Sequence, residues 1–203
     1  MAVPPIAKAT LQAALINAGS NVLAQGIKAY KDEVIPTDIV MDGVYPRNAC
    51  MTTFELDLPT LFQFTTYAFI ASPLMVLWME GLEKTLPGFH ETTPSPKTEK
   101  ATEKPKPKLH VTNTVLKIII DQTLGAVWST ILFISTIGLL RGQDYAVITD
   151  QIRSDFWPIV IAGLKLWPIV SILNFTVVPV DKRLLISSLF GVVWAVYLSL
   201  MSG

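Results

Sequence analysis

The chain has 203 residues, 51% of them hydrophobic and only 16% charged, with a formal net charge of zero and a mean hydropathy of +0.47. Soluble domains carry about 25% charged residues, so this composition excludes an ordinary water-facing surface and points to a chain largely surrounded by lipid. Neutrality leaves no electrostatic footprint for nucleic acid, and a single cysteine, Cys50, excludes an internal disulfide and a CxxC redox or zinc motif.

In chain order, Ile6 to Ala29 comes first. Thr10, Asn17, Asn21 and Gln25 recur on one face at helical spacing, with Leu11, Leu15 and Val22 opposite. The pattern predicts an amphipathic helix that either is embedded with its polar face inward or lies at the bilayer surface, and the absence of charge between Lys8 and Lys28 favours the embedded one. Residues 31–57 read as a polar linker. Leu58 to Leu82 is a first spanning candidate, free of charge until Glu80. Residues 87–108 hold five prolines among lysines and glutamates and almost no apolar side chain; such a segment cannot bury enough surface to fold and is expected to be a disordered loop. Val111 to Leu140 is a second span, stopped by Arg141-Gly142. Phe156 to Val178 is a third, interrupted by Pro158 and Pro168 and carrying Lys165. Asp155 is expected to cap its helix, with Pro158 in the first turn. Leu184 to Met201 is a fourth, with no charged residue. At about 1.5 Å per residue it nearly crosses a hydrocarbon core of about 30 Å. The predicted fold is therefore all-α. It is a single membrane domain over residues 1–203, a polytopic bundle of about four spanning helices plus the amphipathic N-terminal one.

Charge inside such segments is informative, because an unpaired one at mid-bilayer costs about 2.5–3.5 kcal/mol on insertion scales. Lys117 and Asp121 are four apart and face the same way on a helix. They are expected to form either an internal salt bridge or part of a polar pathway. Lys165 is expected to snorkel, to pair with Asp121 or Asp155, or to line a pore. The candidate polar interior comprises Asn17, Asn21, Gln25, Lys117, Asp121, Gln122, Lys165 and Asn174. Ser187, Gly191, Ala195 and Ser199 repeat every four residues, a small-residue stripe that lets a second helix approach closely. That helix would belong to the chain itself or to a second copy. No P-loop, GxGxxG, HExxH or GxSxG motif occurs, so no enzyme activity, cofactor or metal is expected.

Asp121-Gln122-Thr123, Asp155-Phe156-Trp157-Pro158, Lys165-Leu166-Trp167-Pro168, Asn174-Phe175, Val178-Pro179, Arg183 and Trp194 to Ser199, with Tyr197 between, occur in this order. Together they resemble the Mpv-seventeen and twenty-two-kilodalton peroxisomal membrane protein family. Gln25, Pro73 and Trp78 extend the likeness toward the N-terminus. The sequence departs from the family pattern at Val76, Ala126, Gly163-Leu164, Ser171 and Lys182. The resemblance implies a small multi-helix protein of the peroxisomal membrane or, alternatively, the mitochondrial inner membrane. Its role would be that of a channel-like protein for small solutes supporting organelle homeostasis. The alternative is a non-conducting scaffold or sorting protein of peroxisome-derived organelles. Partners would be the lipid bilayer and either further copies or other organelle-membrane proteins.

Overall fold

The computed structural model describes residues 4–34, 55–90 and 108–201. Seven α-helices dominate: α1 (Pro5–Val34), α2 (Leu58–Thr85), α3 (Val111–Ile120), α4 (Ala126–Leu140), α5 (Tyr145–Gly163), α6 (Trp167–Thr176) and α7 (Arg183–Met201). A single π-turn, Asp121–Gly125, joins α3 to α4, so the two form the one segment expected over Val111 to Leu140. The all-α bundle is as the sequence predicts, with one small addition. Phe89–His90 (β1) pairs antiparallel with Lys108–Leu109 (β2). Among the described residues two helical segments are long and apolar enough to cross a membrane, Leu58–Thr85 and Val111–Leu140. A third crossing is counted if α5 and α6 form one span bent by 56°. The helix at the fourth expected crossing, α7, falls outside that count; its 19 residues reach about 28 Å.

Side-chain contacts fix the direction of the helices. Gln25 near the end of α1 meets Asp57 at the start of α2: Asp57 N–H donates to Gln25 Oε1 at 2.8 Å and Gln25 Nε2 donates to Asp57 O at 3.2 Å. One amide side chain thus satisfies both backbone groups of the residue that caps α2. At the opposite end, the first turn of α1 and the last turns of α2 line one cleft, so the two helices are antiparallel. α1 packs against both α2 and α7. Its small residues face inward, Ala13 and Ala14 at 2% exposure, while Leu15 is 65% exposed. That is the orientation the amphipathic pattern predicts, because lipid rather than water receives the leucines.

Three sequence expectations are corrected here. The polar linker begins later than residue 31, since α1 runs to Val34. The segment from 87 to 108 has ordered roots. Besides the ladder, His110 N–H donates to Gly88 O at 2.8 Å, and Asn113 Nδ2 donates to Pro87 O at 3.0 Å. Residues 35–54 and 91–107, the bodies of the linker and of the expected disordered loop, lie outside the described residues. Finally, Asp155 caps nothing. α5 starts at Tyr145 behind Asp144 and continues through Asp155, Trp157 and Pro158. The break falls instead at residues 164–166, and Pro168 occupies the first turn of α6, where its missing N–H is harmless.

Two features of this frame are directly testable. Gly138 on α4 sits against α5: a Cβ there would lie 2.7 Å from Ile148 Cγ1 and 3.0 Å from Gln143 Oε1. Ile148 is itself buried at 5% exposure and has nowhere to go. Gly138→Ala is expected to destabilise the protein by about 1–3 kcal/mol, read as a lower thermal midpoint in detergent. Ile148→Ala should offset part of that loss; strict additivity in the double variant would refute the contact. At the start of α2, Asp57 accepts from Thr60 Oγ1 at 2.6 Å and from Thr60 N–H at 2.9 Å. The Thr60 hydroxyl first, then its backbone N–H, and lastly the charge of Arg141 hold the Asp57 carboxyl below its ordinary range, against a smaller opposing effect of burial. Its folded-state pKa is depressed. The cap therefore stabilises above the unfolded-state pKa and is lost as pH falls through the folded value. Hydrogen exchange at residues 58–61 should accelerate on acidification, and Asp57→Asn should flatten that dependence.

Candidate functional site

At the ladder end, Glu83 in the last turn of α2 ties four pieces of chain together. Its Oε2 accepts from Lys117 Nζ on α3 at 2.7 Å and from Arg183 Nη1 at the start of α7 at 2.8 Å. Its Oε1 accepts from Gly88 N–H at 2.7 Å. The two cations are nearly lost to solvent, with side-chain exposures of 0% and 2%, against 22% for Glu83. Burial of this depth is tolerable only with pairing. Phe175 adds a second partner to both: its ring lies 5.3 Å from Lys117 Nζ and 5.1 Å from the Arg183 guanidinium. Arg183 Nε also donates to Val178 O at 3.3 Å. Gly88 is required at its position, because a Cβ would lie 2.7 Å from Lys117 Nζ.

One helical turn deeper lies Asp121, at the head of the π-turn, a distortion that recurs at functional sites. Asp121 Oδ1 accepts from Trp78 Nε1 at 2.9 Å. Asp121 Oδ2 accepts from Ser171 Oγ at 2.5 Å and, at 3.4 Å, from Gln122 Nε2. Gln122 Nε2 also donates to Ser171 Oγ at 2.8 Å. The carboxylate is therefore bound by α2, α6 and its own turn. Trp78 and Trp128 pack with ring centroids 5.9 Å apart beside it. Asn174, 2% exposed, donates from Nδ2 to Ser187 Oγ at 2.9 Å. Along this inward face Thr114 Oγ1, Trp128 Nε1 and Asn174 Oδ1 are buried without a hydrogen-bond partner among the described residues.

The interior expected from sequence is thus partly regrouped. Lys117, Asp121, Gln122 and Asn174 do gather between α2, α3, α6 and α7. The expected Lys117–Asp121 pair does not form, because Glu83 reaches Lys117 across the helix interface. Lys165 stands apart. It is exposed at the break between α5 and α6. Its Nζ donates to Tyr197 OH at 3.2 Å and sits 5.8 Å from the Tyr197 ring. It pairs with neither Asp121 nor Asp155, and Asp155, exposed on α5, accepts from Ser154 Oγ. Trp194 stacks on Tyr197 at 5.5 Å and meets Trp167 at 6.3 Å, so these motif residues build an aromatic seam between α6 and α7. Trp157 is 64% exposed on α5, and Pro179 precedes a short 3-10 turn, Val180–Lys182. Asn21, 9% exposed, accepts from Gln25 Nε2 at 2.7 Å, and Asn17 is half-buried on the same inward side. Of those α1 groups Gln25 holds Asp57 at the start of α2, and none joins the Asp121 cluster. Of the small-residue stripe, Ser187 serves Asn174, while a Cβ at Gly191 would meet nothing within 4 Å, so no helix closes on that glycine. Ala195 is half-buried, and the side chain of Ser199 lies outside the described residues. Glu83, Trp78 and Ser171 are the partners that sequence reasoning did not assign to the site. Glu83 is masked by its place at a span's end, beside Glu80 and Lys84.

The arrangement defines a polytopic membrane helix bundle with a charged lock at one end and a hydrogen-bonded carboxylate in its interior. Its C-terminal part, residues 138–199, matches the Mpv17 / PMP22 family. Over nearly its whole length the chain is similar to Protein sym1 of Schizosaccharomyces pombe, 25% identical across 97% of this chain and 84% of that protein. It is similar to Protein SYM1 of Saccharomyces cerevisiae, 29% identical over 46% of this chain and 48% of the relative. To PXMP2/4 family protein 3 of Dictyostelium discoideum it is 26% identical over 73% and 70%. These matches support membership of the Mpv17 / PMP22 family. No solved structure matches it.

Proposed function

We propose that this integral membrane protein is a channel-like, non-catalytic protein for small solutes, serving the homeostasis of an organelle. Family membership supports either a peroxisomal or an inner mitochondrial membrane as its site. The observation that carries the reading is the inward row of polar groups from the Glu83–Lys117–Arg183 lock to Asp121, Gln122 and Ser171, flanked by three buried polar atoms without a partner among the described residues. Each such atom costs about 1–3 kcal/mol in a dry interior, and more than packing alone requires in lipid; water or a polar solute along this face would relieve that cost. Pure protein reconstituted into liposomes is expected to release entrapped small polar solutes faster than protein-free vesicles while retaining large polymers. Tight vesicles at verified incorporation would remove the proposal. They would favour the non-conducting scaffold, for which the open surface at Gly191 offers a contact to a second copy or another membrane protein.

A further inference from the structure

We infer that the cleft between α1, α2 and the start of α7 binds a single phosphatidylethanolamine molecule, ammonium group at its rim and acyl chain along its walls. The cleft encloses about 350 Å³, within the usual range of small-ligand sites. Its position sets the kind of ligand. Ile6 opens α1, Glu80 lies in the last two turns of α2, and Leu184 opens α7. All three therefore belong to the ladder end of the bundle, where hydrocarbon gives way to headgroups. The walls are apolar, from Ile6, Ala9, Val76 and Val180, and the floor is Met79 and Leu184, each 7% exposed. Among the described residues the ionisable lining groups are two carboxylates, Glu80 and Asp181.

Among the described residues no cation is buried against that pair of carboxylates. Arg183, next along from Asp181, is turned inward onto Glu83 and Phe175. Lys84 approaches Glu80 only to 3.8 Å with its side chain 79% exposed, a geometry worth little in water. An amphiphile with a cationic head and an apolar tail complements such a rim. Lys8, Lys84 and Lys182 are exposed on the neighbouring turns, where a phosphate on the solvent side of the ammonium would meet positive charge. The ligand that satisfies both signs is a zwitterionic phospholipid. A primary ammonium donates hydrogen bonds to both carboxylates, which a quaternary choline cannot do.

The full chain, purified in detergent, would be offered phosphatidylethanolamine, phosphatidylcholine and phosphatidylglycerol of matched acyl chains, and retained lipid counted by native mass spectrometry. Phosphatidylethanolamine should be retained about tenfold over either competitor, the effect of one charge-assisted hydrogen bond. Glu80→Gln with Asp181→Asn should erase that preference. Ala9→Phe should lower retention of phosphatidylethanolamine by filling the cleft. Each variant is scored only on the fraction that elutes as folded protein with unchanged helical content. Equal retention of the three lipids by the unaltered chain would overturn the inference. So would a preference that survives in the carboxylate variant, or retention undiminished by Ala9→Phe.

Discussion

Glu83→Ala is expected to be the most damaging single substitution in the bundle, removing most folded protein from detergent extracts. Glu83 is the common acceptor for two buried cations and one backbone N–H. Its loss leaves Lys117 and Arg183 close together beside Phe175 with no counter-charge. Breaking one buried pair typically costs about 3–5 kcal/mol, and whole domains are stable by only about 5–15 kcal/mol; two orphaned cations exceed the smaller margins outright. Lys117→Met removes a charge together with its demand for a partner. It leaves Glu83 and Arg183 as a neutral pair and keeps an apolar chain against Phe175, so it should be far milder. Adding Lys117→Met to Glu83→Ala should recover part of the yield, since one orphan charge remains instead of two. Fluorescence-detected size exclusion and thermal unfolding in the same detergent would rank the three variants. If Glu83→Ala were no worse than Lys117→Met, the shared-acceptor account of this lock would fail.

The contrast between this lock and the pair expected from sequence shows what a sequence can and cannot supply. Helix existence is readable, because apolar runs such as Leu124 to Leu140 and the inward spacing of Asn21 and Gln25 are local properties. Some of the charges that must be inside are also readable: Lys117 and Asp121 both proved to be partnered within the bundle, whereas the burial of Arg183 was not foreseen. Their partners are not local. Lys117 and Glu83 are separated by 34 residues, Arg183 and Glu83 by 100, and Ser171 and Asp121 by 50. Nothing in helical periodicity selects among the acceptors of another helix, so the nearest carboxylate in sequence, Asp121, was the natural but incorrect partner for Lys117. Asp-Phe-Trp-Pro misled for a related reason. A Pro at the first turn and a Pro tolerated inside a longer helix have the same local sequence. Only the packing of α5 on α4 through Gly138 and Ile148 reveals that the helix had already begun. Lys165 was placed in the interior by its position in an apolar run, whereas the 56° bend between α5 and α6 turns it outward onto Tyr197.

Asp121→Asn is expected to leave the fold nearly intact and to change what the protein passes. The substitution keeps one oxygen to accept from Trp78 Nε1. The new amide would face Ser171 and Gln122, both of which can reverse their donor and acceptor roles, so the loss should be near 1 kcal/mol. Asp121→Ala is the uninformative choice. It strands the donors of Trp78 and Ser171 together, at about 1–3 kcal/mol for each one buried, and should sharply lower folded yield. The charge is another matter. Glu83, Lys117, Arg183 and Asp121 together balance, two cations against two carboxylates, and neutralising Asp121 leaves one positive charge in excess along the inward face. A charge about 10 Å from a permeating ion, at an effective dielectric near 30, is worth about 1 kcal/mol. On a barrier to passage that is a factor of about five. In liposomes with matched protein incorporation, cation efflux should slow and anion efflux rise by about fivefold each, so the ratio of small-cation to small-anion efflux should fall by about twenty-five-fold in Asp121→Asn. An unchanged ratio with full incorporation would show that solutes do not pass this face, and the conduction path would have to be sought elsewhere or abandoned. A collapse in folded yield as deep as that of the alanine variant would show that the negative charge itself holds α2, α3 and α6 together, making Asp121 a second lock and not part of a solute path.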